Sequence, residues 1–591
     1  MRSFFVWKNY FILSLIFFLF SLNGCSKVSK DPYFQNSVSL KQNLAEDVFL
    51  EDTYLLVSLN RLKTAQNEKL DKVMANFSSF ESVKKYFINL LNNQILSLKL
   101  DFEKDIKPFM GENSRVNIAL AGKKQDEVQN ILYSVLSLYV SDEKAYNNFE
   151  EKIKNSGLLK EEKYKGEKIL VEEKKGDSSL YVWKYKDILF IGNGYDRLIE
   201  MIDNNSEGKK VLSGDENFQN AVKDVKNEYF GFVYFDLNEF SKYQGVISKD
   251  NEEQKAIAYS LALSAKNNGI TFDSTKINEY LKYDSANIDN INIFKNYPGR
   301  DMIFYYEGKD LQQKLKVFVE SMGQLNKNLA QNYESVKNIF KQLTTRDFET
   351  DFLGWMNKDF AFAIQNNGNK VIPGITFVID GNANKEMAKE FIKRVDAQID
   401  DYIAKLAKES EDLAKAISKE SVKIGKSTLT QVQVDLNNLK QKNLRESFPN
   451  IPLPLFSENG VFYYGIDEEN NVILSTYQRF AKDYKTDVLA EDDDFQKFIK
   501  SVSDSFEKEI MYVNTENFLK YAQTYVDFQQ KIGVSDNSSM ILDLYLSLIK
   551  SELKNAKGLI FGNKLENGRV LGNGFMEIEK EVVPVKEEKP F

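Results

Sequence analysis

The sequence predicts an α+β fold: two similar halves, each a largely antiparallel sheet covered by helices. Three observations predict it. Strand signals sit next to hairpin turns and do not alternate strictly with helices, which argues for antiparallel pairing. Long apolar stripes at three- and four-residue spacing mark helices between them. A series of short motifs occurs twice, in one order. The composition is globular, with 42% hydrophobic and 28% charged residues, 9 Pro and 29 Gly in 591 residues. That length corresponds to about three to four domain-equivalents of ~150 residues.

The chain opens with Arg2 and Lys8, followed by an apolar run from Phe11 to Leu22 broken only by Ser14 and Ser21. A basic start, a short apolar stretch and a small residue before the cut define an export signal. The run is too short to span a bilayer, which takes about 20 apolar residues. Leu22-Asn23-Gly24-Cys25 resembles the lipobox of bacterial lipoproteins. That resemblance implies a signal peptide over 1–24, cleavage before Cys25, diacylglycerol on the Cys25 thiol and acylation of the new amino terminus. Two or three chains anchor stably, since each buried methylene contributes ~0.8 kcal/mol and one chain is marginal. The alternative is a plain signal peptide with an incidental cysteine. Ser26 is not Asp, which leans toward the outer membrane or cell surface over the inner membrane. Residues 25–43 are polar without apolar periodicity and read as a lipidated tether.

Half one is placed at 44–290 and half two at 291–578. Asp101-Phe102-Glu103-Lys104-Asp105-Ile106 recurs as Asp347-Phe348-Glu349-Thr350-Asp351-Phe352, and each precedes an alternating strand, 116–120 and 360–364. Asp215-Glu216-Asn217-Phe218-Gln219 recurs as Asp492-Asp493-Asp494-Phe495-Gln496, each before a helix and then a strand with a polar end, 230–236 and 510–514. The stretch 52–60 parallels 301–307, and 261–272 parallels 546–561. Collinear matches whose spacing mostly widens fit duplication with loop insertions. The competing explanation is that strand–helix modules look alike by composition.

Within the halves, strands are expected at 54–59, 180–185, 188–191, 375–379, 461–466 and 472–476, from β-branched and aromatic residues in alternation. Asn567-Gly568 and Asn366-Asn367-Gly368 read as hairpin turns. Ala388, Phe391, Ile392, Val395, Ile399, Tyr402, Ile403 and Leu406 form one helical stripe, extended by Leu413 and Ile417. Leu311, Leu315, Phe318, Val319, Met322 and Leu325 form another. The last residues, 579–591, mix charge with Pro and read as a disordered tail.

Several of these segments carry a family resemblance. They are 52–59, the Asp-Phe-x-x-Asp segment running into Phe109-Met110-Gly111, Leu353-Gly354-Trp355-Met356 with the strand 360–364, Val378-Ile379-Asp380, Tyr164-Lys165-Gly166-Glu167-Lys168-Ile169, and Asp187-Ile188-Leu189-Phe190-Ile191-Gly192. Their order resembles a family of bacterial secreted proteins and lipoproteins known as domain of unknown function 3352. The resemblance covers nearly the whole mature chain and implies no activity and no catalytic residues.

The chemistry is narrowed by what is missing. There is no His, and Cys25 is the sole Cys, so His-based triads, His-ligated metals and multi-Cys metal sites are excluded. The net charge of −8, without a basic block, argues against nucleic-acid binding. Gly192-Asn193-Gly194 follows a strand but lacks the third Gly of a dinucleotide loop, since Arg197 stands there, so it reads as a turn. Asp492-Asp493-Asp494 with Glu491 offers oxygen ligands for Ca²⁺ but reads better as a helix N-terminus. The pairs Asp101/Asp105 and Asp347/Asp351 suit acid–base glycoside cleavage or capping. Ser–Lys chemistry, which needs no His, stays open. Phe304-Tyr305-Tyr306 and Phe462-Tyr463-Tyr464 read as core ahead of sugar-stacking platforms.

The resulting expectation is an exported, membrane-anchored lipoprotein with a non-catalytic binding or structural role at the cell envelope. It is lipidated at Cys25, with no cofactor, no metal and no nucleic acid, and with an envelope protein, polymer or lipid as ligand. The alternatives are a carboxylate-based hydrolase of envelope glycans and a lipid or lipoprotein carrier, the latter requiring an apolar cavity.

Overall fold

The structure, a computed structural model, describes residues 44–61, 100–110, 114–124, 130–207, 210–223, 229–244, 257–278, 291–323, 327–344, 346–368, 371–409, 415–434, 460–502, 509–531, 555–566 and 569–578, with positions 69, 70, 73 and 225. Cys25, the leader, the tether, the tail and Asn567-Gly568 lie outside the described residues. The described parts of Met1–Asp284, Gly323–Lys327 and Asn563–Phe591 form one unit, and those of Ser285–Met322 and Asn328–Gly562 a second. The class is α+β, built on extensive antiparallel sheet. Among the described residues no helix is long and apolar enough to cross a membrane.

Unit one contains β1 (Thr53–Arg61), β2 (Ser114–Lys124), β3 (Asn130–Tyr139), β4 (Lys160–Tyr164), β5 (Glu167–Val171), β6 (Leu180–Tyr185), β7 (Ile188–Asn193), β8 (Gly231–Asp236), β9 (Ile257–Lys266) and β10 (Gly269–Asn278). Side by side they run β4-β5-β6-β7-β3-β2-β1-β8-β9-β10, antiparallel throughout. Lys165 and Gly166 both have positive φ, 46° and 89°, the backbone that a two-residue hairpin loop requires between β4 and β5. Helices α1 (Glu143–Asn155), α2 (Tyr195–Glu207), α3 (Glu216–Val222) and α4 (Leu237–Gln244) connect or cover the strands. Asp142 caps α1 by accepting the Ala145 N–H at 2.9 Å, and Asp215 caps α3 through Phe218 at 2.8 Å.

Around β7 both faces of this sheet are buried. Ile188 and Phe190 join Phe49, Trp183 and Phe218 in one core, while Leu189 and Ile191 join Phe109, Tyr146 and Phe149 in another. A strand covered on both sides is apolar at every position, which is why 188–191 reads as an unbroken Ile-Leu-Phe-Ile run.

Unit two contains β11 (Met302–Lys309), β12 (Asp359–Gln365), β13 (Gly374–Asp380), β14 (Ile417–Ile424), β15 (Ser427–Val434), β16 (Gly460–Ile466), β17 (Asn471–Ser475) and β18 (Glu509–Asn514). Their order is β14-β15-β16-β17-β13-β12-β11-β18, again antiparallel. The strand β19 (Ala556–Glu566) begins in unit two, where Gly558 lies close to the Val513 carbonyl. The last strand, β20 (Arg569–Ile578), belongs to unit one and pairs with β10.

The longer helices of unit two are α5 (Leu311–Gly323), α6 (Lys327–Thr344), α7 (Lys385–Glu409), α8 (Asp493–Ser501) and α9 (Thr515–Lys531). Leu311, Leu315, Phe391 and Ile392 from the two expected stripes pack on Trp355, Phe360 and Val472. Ile417 does not extend α7: it opens β14, where a β-branched residue suits the pleat. Leu413 and Leu325 lie outside the described residues. Asn366-Asn367-Gly368 does join the antiparallel neighbours β12 and β13, but within a loop longer than a two-residue turn.

Candidate functional site

The two Asp-Phe-x-x-Asp segments fold into single π-helical turns, Phe102–Ile106 and Phe348–Phe352. Asp101 accepts the Lys104 N–H at 2.9 Å, and Asp105 accepts the Asp101 N–H at 2.8 Å. Asp347 and Asp351 do the same: Thr350 N–H to Asp347 and Asp347 N–H to Asp351, each 2.8 Å. Of the two readings the sequence left open for these pairs, capping is the one the contacts describe. Lys152 also sits on both oxygens of Asp105, at 2.6 Å.

The Gly-Asn-Gly segment is built as a turn. Asn193 accepts the Ser134 N–H at 2.8 Å and donates to the Leu132 carbonyl at 2.9 Å. Arg197 holds Asp52 through both of its terminal nitrogens. Asp492 caps α8 by accepting the Phe495 N–H at 2.8 Å. Among the described residues no group of three or more carboxylates is arranged to hold a metal ion. The aromatic runs lie largely in the core: Tyr305 packs edge-on to Tyr297 at 4.9 Å, Phe304 against Phe362 at 6.0 Å and Tyr463 against Phe480 at 5.9 Å.

Unit two holds a polar cavity of about 430 Å³. One wall is 299–302, the second is 486–488 with Glu491 and Asp492, and the third is Tyr512, Asn514 and Asn517. Backbone pairing assembles it. Pro298 bridges Val488, Gly299 N–H donates to the Asp487 carbonyl at 2.8 Å, and Tyr305 stands opposite Tyr512 in the β11–β18 ladder. Gly299 is required by closeness: a Cβ there would lie 2.9 Å from Leu489 Cα. Asn517 ties the third wall to the first through the Met302 carbonyl at 2.9 Å.

The cavity is acidic. Asp301, Asp487, Glu491 and Asp492 line it with Arg300. Arg300 pairs with Asp487 at 2.9 Å, the Tyr477 hydroxyl donates to Asp301 at 3.4 Å, and Glu491 faces solvent. Burial, with Asp494 and Asp493 adding their charge, pushes the Asp492 carboxyl above its usual range. Such a cleft suits a basic group that the carboxylate oxygens can accept bonds from.

Unit one carries its own carboxylate cluster at the β8–α4 junction. Asp236 accepts from Asn217 at 2.9 Å, Tyr234 at 3.2 Å and the Glu239 N–H at 2.9 Å. Burial raises the pKa of Asp236, and likewise those of Asp215 and Glu239.

The sequence singled out Glu491, Asp492 and the strand starting at Asp301, but not Arg300 or Asp487 as their partners. The segments 299–302 and 486–492 are nearly two hundred positions apart in the chain, and the Pro298–Val488 bridge, the Gly299–Asp487 backbone bond and the Arg300–Asp487 pair bring them together.

A family described as a protein of unknown function (DUF3352) matches residues 31–544. The chain belongs to this family. No curated protein matches the sequence. The solved structure of crystal form I of TP0453 is similar at 13% identity over 41% of this chain and 82% of that one, with a TM-score of 0.20. At that level the likeness transfers neither fold nor role to this DUF3352 member.

Proposed function

We propose that this DUF3352 protein is an exported lipoprotein, anchored to a membrane through Cys25, with a non-catalytic binding role at the bacterial cell envelope. The observation that carries this reading is Leu22-Asn23-Gly24-Cys25 behind the apolar run 11–22, in a chain with no other Cys. A single cysteine in an exported chain cannot form an intrachain disulfide, so its position at the end of a leader calls for another use. The outer membrane or cell surface is favoured because Ser26 follows the cysteine.

The ligand is an envelope protein, polymer or lipid that presents a basic group to the acidic cleft of unit two. The hydrolase alternative is weakened by the engagement of Asp101, Asp105, Asp347 and Asp351 in backbone caps. A carrier would need an apolar cavity, and the cleft is lined by carboxylates.

We also infer that the body is an internal duplication. In unit one the strands run β4-β5-β6-β7-β3-β2-β1-β8, and in unit two β14-β15-β16-β17-β13-β12-β11-β18. Each unit has a π-turn opened by an Asp pair, and an Asp-capped helix ahead of its eighth strand.

The anchor is tested with Cys25→Ala in the native host. The variant is expected to leave the membrane fraction and to lose palmitate labelling. Membrane association unchanged from wild type would refute the lipid anchor.

A further inference from the structure

Glu307 sits mid-strand in β11 with no solvent exposure. Its carboxylate collects three donors. One oxygen takes the Ile293 N–H at 2.7 Å, and the other takes the Phe294 N–H at 3.0 Å and the Tyr305 hydroxyl at 2.7 Å. Ile293 and Phe294 open the short 3₁₀ turn Ile293–Lys295, and the first N–H groups of such a turn have no partner within it. A side chain from β11 therefore caps the turn that leads into unit two. That turn continues through Tyr297 and Pro298 into 299–302, a wall of the cleft.

Among the described residues no ion pair reaches Glu307. The titratable and charged groups around it offer little compensation. On its own strand Tyr305 donates to it. From the lead-in segment comes Tyr297, beside Tyr305, while Lys295 is exposed. From β12 comes Asp359, a like charge held by Lys309 at 3.4 Å. On β18, Glu509 is tied to Lys314 and Tyr512 faces the Asp492 side. From α8 the Phe495 ring stands 6.5 Å from the Tyr305 ring.

Unit one fastens its lead-in turn differently. Glu46, in the turn Ala45–Asp47, pairs with Arg115 at 2.6 Å, and Arg115 also donates to Ser58 of β1 at 2.9 Å. There the buried carboxylate has its cation.

We propose that Glu307 is a proton-operated latch: neutral, it holds the lead-in turn 291–299 on the sheet of unit two, and ionised, it favours opening of that turn so that water reaches the carboxylate. A buried charge without a counter-ion is costly, and hydration is the relief available to it. Burial raises the Glu307 pKa from 4.5 to about 7, against the three hydrogen bonds that favour its charge. The folded state thus binds this proton more tightly than the open state does. The stabilisation is complete below 4.5 and is lost as pH rises through about 7.

The test is hydrogen exchange by mass spectrometry on the full chain at pH 6 and pH 8, corrected for intrinsic exchange. It needs no ligand, so it stands or falls separately from the binding reading. Protection of 291–299 is expected to drop about tenfold between the two pH values, as one proton linked across that window requires. The turn at 45–47 is expected to keep its protection, and Glu307→Gln, a permanently neutral mimic, to abolish the drop at 291–299. Equal protection of 291–299 at both pH values, or the same drop in Glu307→Gln, overturns the latch. If Glu307→Gln does not fold, the wild-type comparison decides: a drop confined to 291–299 supports the latch, and an equal drop at 45–47 overturns it.

Discussion

Asp105 accepts the backbone N–H of Asp101 at 2.8 Å, while Asp101 accepts that of Lys104 at 2.9 Å. The two carboxylates close a reciprocal cap around a single π-turn. At Asp105 the backbone bond acts together with the Lys152 ammonium, and the two outweigh burial and favour the charged form, which leaves this carboxylate poorly placed to exchange a proton with a substrate.

Asp105→Ala is expected to lower unit-one stability by about 1 kcal/mol, the usual cost of a lost helix cap. Lys152 loses its partner in the same change, releasing the contact between the π-turn and α1. Burial opposes the Asp105 charge, but the Lys152 ammonium and the Asp101 N–H outweigh it and hold the pKa below 3.8. The contribution is therefore present above 3.8 and lost as pH falls through the folded value. Melting curves of wild type and variant should draw together as pH falls below 3.8; a gap that is unchanged or widens in acid would contradict this assignment.

Phe218 and Phe495 each follow an Asp cap by three residues and are fully buried. Phe218 meets Tyr234 edge-on at 5.0 Å, and Phe495 meets Tyr512 at 5.2 Å. Truncation to Ala should cost ~3–5 kcal/mol in each case, the sum of lost transfer energy and the cavity left behind. Calorimetry of Phe218→Ala and Phe495→Ala checks this. A cost near zero at either site would mean that the ring is not the core anchor its contacts describe.

Much of the fold is legible in the sequence because its signals are local. Strands at 180–185 and 188–193, the caps at Asp215 and Asp492, and the helix from 385 are dictated by alternation, by short acceptors ahead of helices and by apolar spacing. What is not legible depends on distant pairing. Ile417 continues a helical stripe arithmetically, yet forms a strand because β15 lies beside it. The cleft joins 299–302 to 486–492 through long-range pairing that no periodicity announces. Glu307, in an alternating Phe-Tyr-Tyr-Glu run, gives no sign that its position faces the core. For the Asp pairs, the residue types fit catalysis and capping equally well, and only hydrogen-bond partners separate the two.

Gly299→Ala tests the assembly of the cleft. The added methyl would press on the Leu489 backbone at 2.9 Å, which cannot yield as a side chain would. Overpacking of this kind costs ~1–3 kcal/mol and should loosen the Pro298–Val488 bridge. Gly214→Ala, whose nearest neighbour is the Val211 side chain at 3.9 Å, is the matched control and should melt close to wild type. Equal melting temperatures for the two variants would show that the wall tolerates the displacement.

Lys485 gathers three carboxylates: Glu468 at 2.9 Å, Glu469 at 3.1 Å and Asp467 at 3.4 Å. The residue has φ 61°, and its backbone N–H reaches the Asn296 carbonyl at 3.0 Å. It thereby fastens the turn between β16 and β17 to the lead-in segment of unit two. Glu468 is held at about 2, by the Ser427 hydroxyl first, then by Lys485 and its own backbone N–H. A depressed carboxylate stabilises above its unfolded pKa of 4.5 and loses that contribution as pH falls toward 2. Acid should therefore destabilise unit two across this window. Lys485→Met keeps most of the side-chain volume but removes the cation. It should melt lower at neutral pH, because three carboxylates then repel one another. It should also show a shallower acid slope, since part of what protonation would undo is already gone. Fluorescence-monitored melting from pH 2 to 7 measures both quantities. Parallel curves for wild type and Lys485→Met would place the acid sensitivity elsewhere, whereas curves converging below pH 3 assign it to this cluster.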